Sequence, residues 1–457
     1  MRCNASNMTV ITAPALASAH EAVADGTPAS APPRSSPPRP EPERVHRIRD
    51  DAEALQVARQ LAAEFATGAA ERDHQRRLPW DELQRWSESG LGGMTVPRRF
   101  GGAQVSCLTL AEVFVTLCAA DPALGQVPQN HFALLGVLRE AGSQAQQQRF
   151  YAEALDGLRL GNAGPERKSA EAPTILRGGP KLVPREDGGL TLNGQRFYST
   201  GALFAHRIPT RALDAKGRPV QAWVPADAPG VQVIDDWDAF GQRTTASGSV
   251  RFDQVQVDPE DVLPLWRLAE RPGLYGPVSQ LIQAAIDQGI AQAALADALI
   301  YVRERARPWV DSGLERASDD PHLIAEVGRL QITLHAAHEL LREAASTLDE
   351  LAASVLDELA ASALDAEGRW TPLSAEASAH ASVTVAQAKV MTTRAALAAS
   401  EQLFELAGSS ATRLSRHLDR HWRNARVHTL HDPVRWKLQL IGNHHLNGVL
   451  PARHSWN

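Results

Sequence analysis

The sequence predicts an α+β fold in three parts: an N-terminal helical domain, a central β-barrel domain and a C-terminal four-helix bundle. Three observations predict it. Apolar residues from Val45 onward recur at spacings of three and four. Between Leu160 and Leu268 the pattern changes to short β-prone runs divided by turn residues. From Tyr275 the helical period returns in long Ala/Leu-rich segments. The resulting boundaries are a leader at 1–44, then 45–160, 161–270 and 271–457.

The leader is rich in Pro, Ala and Ser, as in Ala31-Pro32-Pro33-Arg34-Ser35-Ser36-Pro37-Pro38. It cannot bury enough apolar surface to offset the entropy of ordering, so disorder is expected, and Met8 stands as an alternative start. The small-residue run Val10 to Ala19 has Pro14 inside and only Arg2 ahead of it, a poor signal peptide. In the first helical domain Ala54, Leu55, Ala58, Leu61, Ala62 and Phe65 form one stripe. A short amphipathic piece follows from Trp80 to Trp86, ended by Gly90-Leu91-Gly92-Gly93. Helices are expected from Leu108 to Ala120 and from Phe132 to Glu140. The Pro/Gly-punctuated segment Asp121 to His131 between them is expected to be a loop. Polar groups in such a loop suit a pocket wall, which puts Asn130 and His131 on it. A lone histidine there is more often structural.

In the β region, Lys181–Val183, Leu190–Leu192, Ala222–Val224, Val231–Ile234 and Val250–Phe252 are the expected strands. Asp187-Gly188-Gly189 and Asn193-Gly194 are hairpin signals. In the last domain Ile282, Ala285, Ile286, Gly289, Ile290 and Ala293 give a small-residue stripe for close packing. Helices continue at Ile324 to Leu364 and Val383 to Ala407. Leu348-Asp349-Glu350-Leu351-Ala352-Ala353-Ser354 recurs as Leu356-Asp357-Glu358-Leu359-Ala360-Ala361-Ser362, a local duplication that lengthens a helix end or loop.

A net charge of −6 suggests no surface for nucleic acid, and no apolar run reaches the roughly 20 residues of a membrane span. Cys3, Cys107 and Cys118 lack metal or redox spacing. The last two flank an apolar run as core thiols, and a cytoplasmic location is expected. The chemistry gathers near the C-terminus. In Arg420-His421-Trp422-Arg423-Asn424-Ala425-Arg426-Val427-His428-Thr429-Leu430-His431-Asp432-Pro433, His428 and His431 would share a helix face. Pro433 then leaves His431 and Asp432 at a terminus where side chains can turn into a cleft.

The run Arg423-Asn424-Ala425-Arg426 with His428-Thr429-Leu430-His431-Asp432-Pro433 resembles the acyl-CoA dehydrogenase superfamily. Within it the run resembles the oxygenase branch, which includes dibenzothiophene monooxygenase and SfnB-type sulfur-acquisition oxidoreductases. The dehydrogenases carry a catalytic glutamate in a Glu-Gly-Thr motif where this chain has Asp432-Pro433-Val434. Pro97, Phe100, Gly101 and Gly102 match a family turn, and the likeness extends from about Val45 to the C-terminus. The resemblance implies an acyl-CoA dehydrogenase-like fold with a flavin between the β domain and the bundle.

The resemblance places Asn162 beside the flavin edge, Ser199 and Thr200 facing the ring, Trp237 near it and Ser247 on the phosphate side. Arg305, with Arg307 as alternative, would reach the phosphate of a neighbouring subunit's flavin, and His428 and Asp432 join the cofactor contacts. Pro308 at a position often held by Phe favours FMN over FAD. Singly these residues also suit turns, core or a solvated face. Oxygen activation at reduced flavin needs a dry pocket with aimed donors, which Thr200, Asn162 and the tunable imidazole of His431 supply. The expected function is a reduced-FMN-dependent, two-component monooxygenase acting on a small organosulfur compound. It would be fed by an NAD(P)H:flavin reductase and assembled as a homotetramer. An FAD-dependent acyl-CoA dehydrogenase with Asp432 as base and a non-catalytic flavin-binding protein are the alternatives.

Overall fold

The computed structural model describes residues 36–165, 180–361, 373–454 and 456–457, with the backbone alone from 354 to 361. The first domain holds α1 (Asp51–Ala66), α2 (Ala69–Gln75), α3 (Trp80–Glu88), α4 (Cys107–Ala120), α5 (Pro122–Gln126), α6 (Gln129–Ala141) and α7 (Gln144–Leu155). Asp50 caps α1 by accepting from the Glu53 amide, and the stripe Ala54, Ala58, Leu61 and Phe65 is buried as expected. The expected loop after Asp121 is instead the helix α5. Asp121 accepts from the Leu124 amide and Pro122 occupies the first turn, where its missing N–H costs nothing. Helix α7 went unread, although Ser143 and Gln146 form a capping box at its start.

The central domain holds β1 (Lys181–Pro184), β2 (Leu190–Arg196), β3 (Arg207–Leu213), β4 (Pro219–Pro225), β5 (Val231–Ile234), β6 (Ser249–Val257) and β7 (Val262–Leu263). They form one mixed sheet in the order β5-β6-β2-β1-β3-β4-β7. The expected barrel is corrected to an open sheet: β5 pairs only with β6 and the two-residue β7 only with β4 among the described residues, so no pairing closes the ring. Gly188, at φ 84°, turns the β1–β2 hairpin where Asp187-Gly188-Gly189 was expected to. Asn193-Gly194 is no hairpin. It lies inside β2, where the register against β6 slips between Leu192 and Gly194, a bulge that Gly194 permits at φ 141°.

The C-terminal part holds α8 (Trp266–Glu270), α9 (Tyr275–Glu304), α10 (Pro321–Ala361), α11 (Ala375–Ala407), α12 (Asp419–His428) and α13 (Val434–Asn447). Helices α9, α10, α11 and α13 form the bundle, and α9 also packs on α4 and α6 of the first domain. Ala284, Ala285, Ala291 and Ala294 of α9, with Ala381, Ala388, Ala395, Ala396 and Ala399 of α11, are buried, so the two helices approach closely. Asp349 of α10 accepts from the amides of Cys107 and Leu108 at 2.6 and 3.1 Å, capping α4 from across the molecule. Both repeat copies up to Ala361 continue α10, and Ser362 lies outside the described residues. No helix among the described residues is long and apolar enough to cross a membrane.

Most of the leader, including Cys3 and Met8, lies outside the described residues. Its last part corrects the expected boundary: Pro37 and Pro40 are buried, and the Pro38 carbonyl lies 3.0 Å from His206 Nε2 in the β domain. Proline entropy is already low in the unfolded chain, so this docking costs little. Deleting residues 1–44 should therefore lower the melting temperature by several degrees relative to deleting 1–35, a difference that differential scanning calorimetry reads directly.

Candidate functional site

Two loops of the β domain build one wall. Tyr198, Gln242 and Ala246 adopt left-handed backbone at φ 51°, 48° and 45°. Such strain in non-glycine residues persists where surrounding structure enforces it, typically at functional sites. The Ser199 amide donates to the Gly248 carbonyl at 2.9 Å and the Asn162 amide to the Thr200 carbonyl at 3.1 Å. Hydroxyls then form a ladder, with Thr200 Oγ1 2.7 Å and Thr245 Oγ1 2.8 Å from Ser247 Oγ. Ser199 Oγ is buried without a partner among the described residues. Trp237 donates from Nε1 to the Gln242 carbonyl at 2.9 Å and meets Tyr198 edge to face. Asn162, Ser199, Thr200, Trp237 and Ser247 are thus brought together.

Gln242 ties this wall to both helical domains. Its amide N–H donates to Asn424 Oδ1 on α12 at 2.7 Å, while its side-chain nitrogen donates to Gln126 Oε1 at 2.8 Å and to the Pro122 carbonyl at 3.1 Å. A side chain on the preceding Gly241 would collide with the Arg423 carbonyl, so glycine is required for α12 to approach. Arg423 in turn holds Asp73 at 2.5 Å and Asp419 at 2.7 Å.

Helix α12 ends at His428, so His428 and His431 do not share a helix face as expected. His431 stands in the following turn, yet the two rings stack 16° from parallel with centroids 6.5 Å apart. His428 is corrected as a cofactor contact. Its Nδ1 lies 2.5 Å from Asp287 Oδ1 and its Nε2 2.9 Å from Gln283 Oε1, and its side chain has no exposed surface. Gln283 continues to Gln129 at 2.7 Å. Asp287 also accepts from Lys389 Nζ and Thr393 Oγ1, each at 2.8 Å. Burial raises the Asp287 carboxyl, but Lys389 and His428 outweigh it and hold it down to about 2.

His431 keeps one third of its side chain exposed, with Nδ1 3.5 Å from Asp432 Oδ1. Asp432 lies 3.3 Å from the Lys437 ammonium. Burial would raise the Asp432 carboxyl, yet the His431 hydrogen bond and the charges of Lys389 and Lys437 hold it well below the ordinary carboxylate range. A carboxylate so stabilised is a poor proton acceptor.

His131 is buried. Its Nδ1 accepts from the Leu160 amide at 3.2 Å, which leaves Nε2–H to donate to the Gly92 carbonyl at 2.8 Å, and Trp86 and Phe132 meet the ring edge to face. No ring nitrogen is left for a ligand, so its pocket-wall role is corrected to a structural one. Asn130 beside it is half-buried. Arg305 and Arg307 are exposed just past the end of α9, whose last residue, Glu304, lies seventeen residues and about 26 Å along the helix axis from Asp287. Sequence reading missed Gln242, Gln283, Asp287, Lys389 and Lys437. A signal was present for Asp287 and Lys389, since each is a charge inside an otherwise small and apolar stripe.

The family descriptions "Acyl-CoA dehydrogenase, N-terminal domain" and "Acyl-CoA dehydrogenase, C-terminal domain" match residues 49–157 and 281–436. A dibenzothiophene monooxygenase from Rhodococcus erythropolis is 35% identical over 90% of this chain and 97% of its own length. A probable FMNH2-dependent monooxygenase, SfnC, from Pseudomonas putida is 29% identical over 87% of this chain and 96% of its own. The crystal structure of FMN-bound TdsC from Paenibacillus sp. A11-2 superposes with a TM-score of 0.79 at 32% identity, covering 88% of this chain and all of that one.

Burial holds the His131 imidazole down to about 4 from an ordinary 6.5. Between those values the unfolded chain binds a proton that the folded chain refuses, so stability falls as pH drops through that window. The slope is about 1.4 kcal/mol per pH unit for one full proton. The variant His131→Phe should lose that share of the slope in denaturant titrations run between pH 7 and 4.5.

Proposed function

The chain belongs to the acyl-CoA dehydrogenase family, and we propose that it oxygenates a small organosulfur compound, with His431, Thr200, Ser199 and Asn162 as the donors at the flavin face. It is a flavin-dependent monooxygenase and its cofactor is reduced FMN. The observation that carries the site assignment is the buried, unpartnered Ser199 Oγ beside the Thr200–Ser247–Thr245 ladder, on a strained wall that Gln242 fastens to the helix preceding His431. An unsatisfied buried hydroxyl of this kind fits an absent polar ring, so the residues present suit FMN.

When bound, reduced FMN supplies the electrons for dioxygen activation. The chain does the rest. Neutral hydroxyl and amide groups donate hydrogen bonds without supplying stray protons, and the Trp237 and Tyr198 rings meet edge to face beside them. His431 offers a partly exposed imidazole as a further donor. The dehydrogenase reading is disfavoured because Asp432 is held as an ion by His431 and Lys437. A flavin reductase must deliver the cofactor in its reduced state, and an NAD(P)H-dependent one is the natural supplier.

Arg305 and Arg307 follow the end of α9 farthest from the same chain's His428, which supports their reaching the site of a second copy. Trp309, Val310, Trp436 and Leu446 are 62–84% exposed, apolar surface that suits burial between copies in a homotetramer.

Three measurements test this reading. In light scattering at micromolar concentration the mass should be four chains, and a monomer overturns the shared site. Arg305→Ala should weaken FMN binding roughly ten- to a hundredfold, as loss of a charge-assisted phosphate contact does. His431→Ala should still fold, bind FMN and consume oxygen. Its yield of oxygenated product from sulfides, sulfones or sulfinates should fall by about a hundredfold in rate, with hydrogen peroxide released instead. Full coupling in that variant, or loss of acyl-CoA-dependent flavin reduction in Asp432→Asn, overturns the mechanism.

A further inference from the structure

Behind His431 lies a charged cluster that the site description does not require for contact with any ligand. Asp287 and Lys389 are both 0% exposed and sit at the centre of the α9–α11 interface among alanines and isoleucines. An ion pair in such surroundings rarely repays its desolvation, and apolar residues of similar volume often serve stability as well or better. Small apolar residues fill the neighbouring positions, so Asp287 and Lys389 stand out from the packing around them.

The geometry supplies a use for them. Asp287 Oδ2 is saturated by Lys389 Nζ and Thr393 Oγ1, which leaves Oδ1 to accept a proton from His428 Nδ1. Nε2 of the same ring lies 2.9 Å from Gln283 Oε1, an acceptor, while Gln283 Nε2 donates to Gln129 Oε1, so this ring nitrogen too is placed to donate. The ring can therefore neither flip nor rotate, and His431 lies stacked on it. We propose that Asp287 and Lys389 are positioning residues: the buried pair holds the Nδ1–H and the plane of His428, and through that ring the orientation of His431 at the flavin face. This rests on the reading of His431 given above.

The titratable groups around His428 are Asp287 from α9, Lys389 from α11 and His431 from the turn, with Asp432 and Lys437 beyond His431. Burial pushes His428 below its ordinary value and Asp287 opposes it, with Lys389 adding to the downward push. Removing Lys389 alone should therefore raise the titration of His428, and removing the Asp287 charge alone should lower it. A role in packing alone predicts no such opposed pair of shifts.

The experiment compares the flavin-free wild type with Lys389→Met, Asp287→Asn and the double variant Asp287→Leu/Lys389→Met, in the full chain. Imidazole nitrogen NMR of the wild type should show His428 protonated on Nδ1, and a ring protonated on Nε2 alone overturns the proposal whatever the variants do. The single variants should titrate in opposite directions, and shifts of the same sign overturn it. The double variant should melt within a few degrees of the wild type, while its ratio of oxygenated product to peroxide falls roughly tenfold or more, as for outer partners of a functional histidine. An unchanged ratio there, with His431→Ala uncoupled, means that the pair only fills space. An unchanged ratio in His431→Ala itself removes the reading of His431 instead.

Discussion

Everything at this site depends on a loop of polar contacts that crosses all three domains and closes on itself. From Gln242 of the β domain it runs to Asn424, along one turn of α12 to His428, then to Gln283 of α9 and Gln129 of α6. It returns over one turn to Gln126 and back to Gln242. Each member is buried, so each contact is made in a medium of low polarity where an unmade one is expensive. The two helical domains share one apolar core and the β domain has its own, and packing alone would tolerate sliding between those two cores. Directional bonds do not, and they fix the register between the strained wall and the histidines.

The same logic explains why the interior of the helical bundle is so plain. Alanine along α9 and α11 brings the two helices close, and that closeness lets Lys389 reach Asp287 and Thr393 reach the same carboxylate oxygen. A leucine-rich interface would hold the helices farther apart. Fine packing and buried charge are therefore one arrangement: the small residues exist where the polar cluster has to fit.

How far the sequence could be read follows from the range of the interactions involved. The long helices were legible because their apolar period is local, and Asp50 caps α1 where that period begins; α11 instead starts at Ala375, capped by Ser374, eight residues before the expected Val383. Strand β3 was missed because Pro209 interrupts it. The structure tolerates that proline because its missing N–H falls on the side away from β4, toward residues 160–163, where only isolated bridges at Arg207 and Thr210 form. Closure of the sheet was over-read, since strand-rich sequence does not say which edges meet. In the site, Ser199, Thr200, Trp237 and Ser247 carried signals only through family order, and the structure does gather them. His131 and His428 were visible as chemistry-bearing residues, but their partners lie 29 to 145 positions away, and only those partners reveal that both rings are occupied. Gln242 was invisible for the same reason.

The cap that Asp349 places on α4 bears on the history of the chain. It fastens α10 at the second residue of the first copy of the eight-residue repeat, against a helix of another domain. Eight residues advance a helix by about 12 Å and rotate it by about 80°, so a copy inserted on the inner side of that anchor would have thrown Asp349 off its target. Inserted on the outer side, it leaves Asp349 on its target. The pin thus sets where extra turns fit: beyond Asp349 they leave the cap on α4 untouched, and before it they would break it. The repeat marks the place where this protein could still grow.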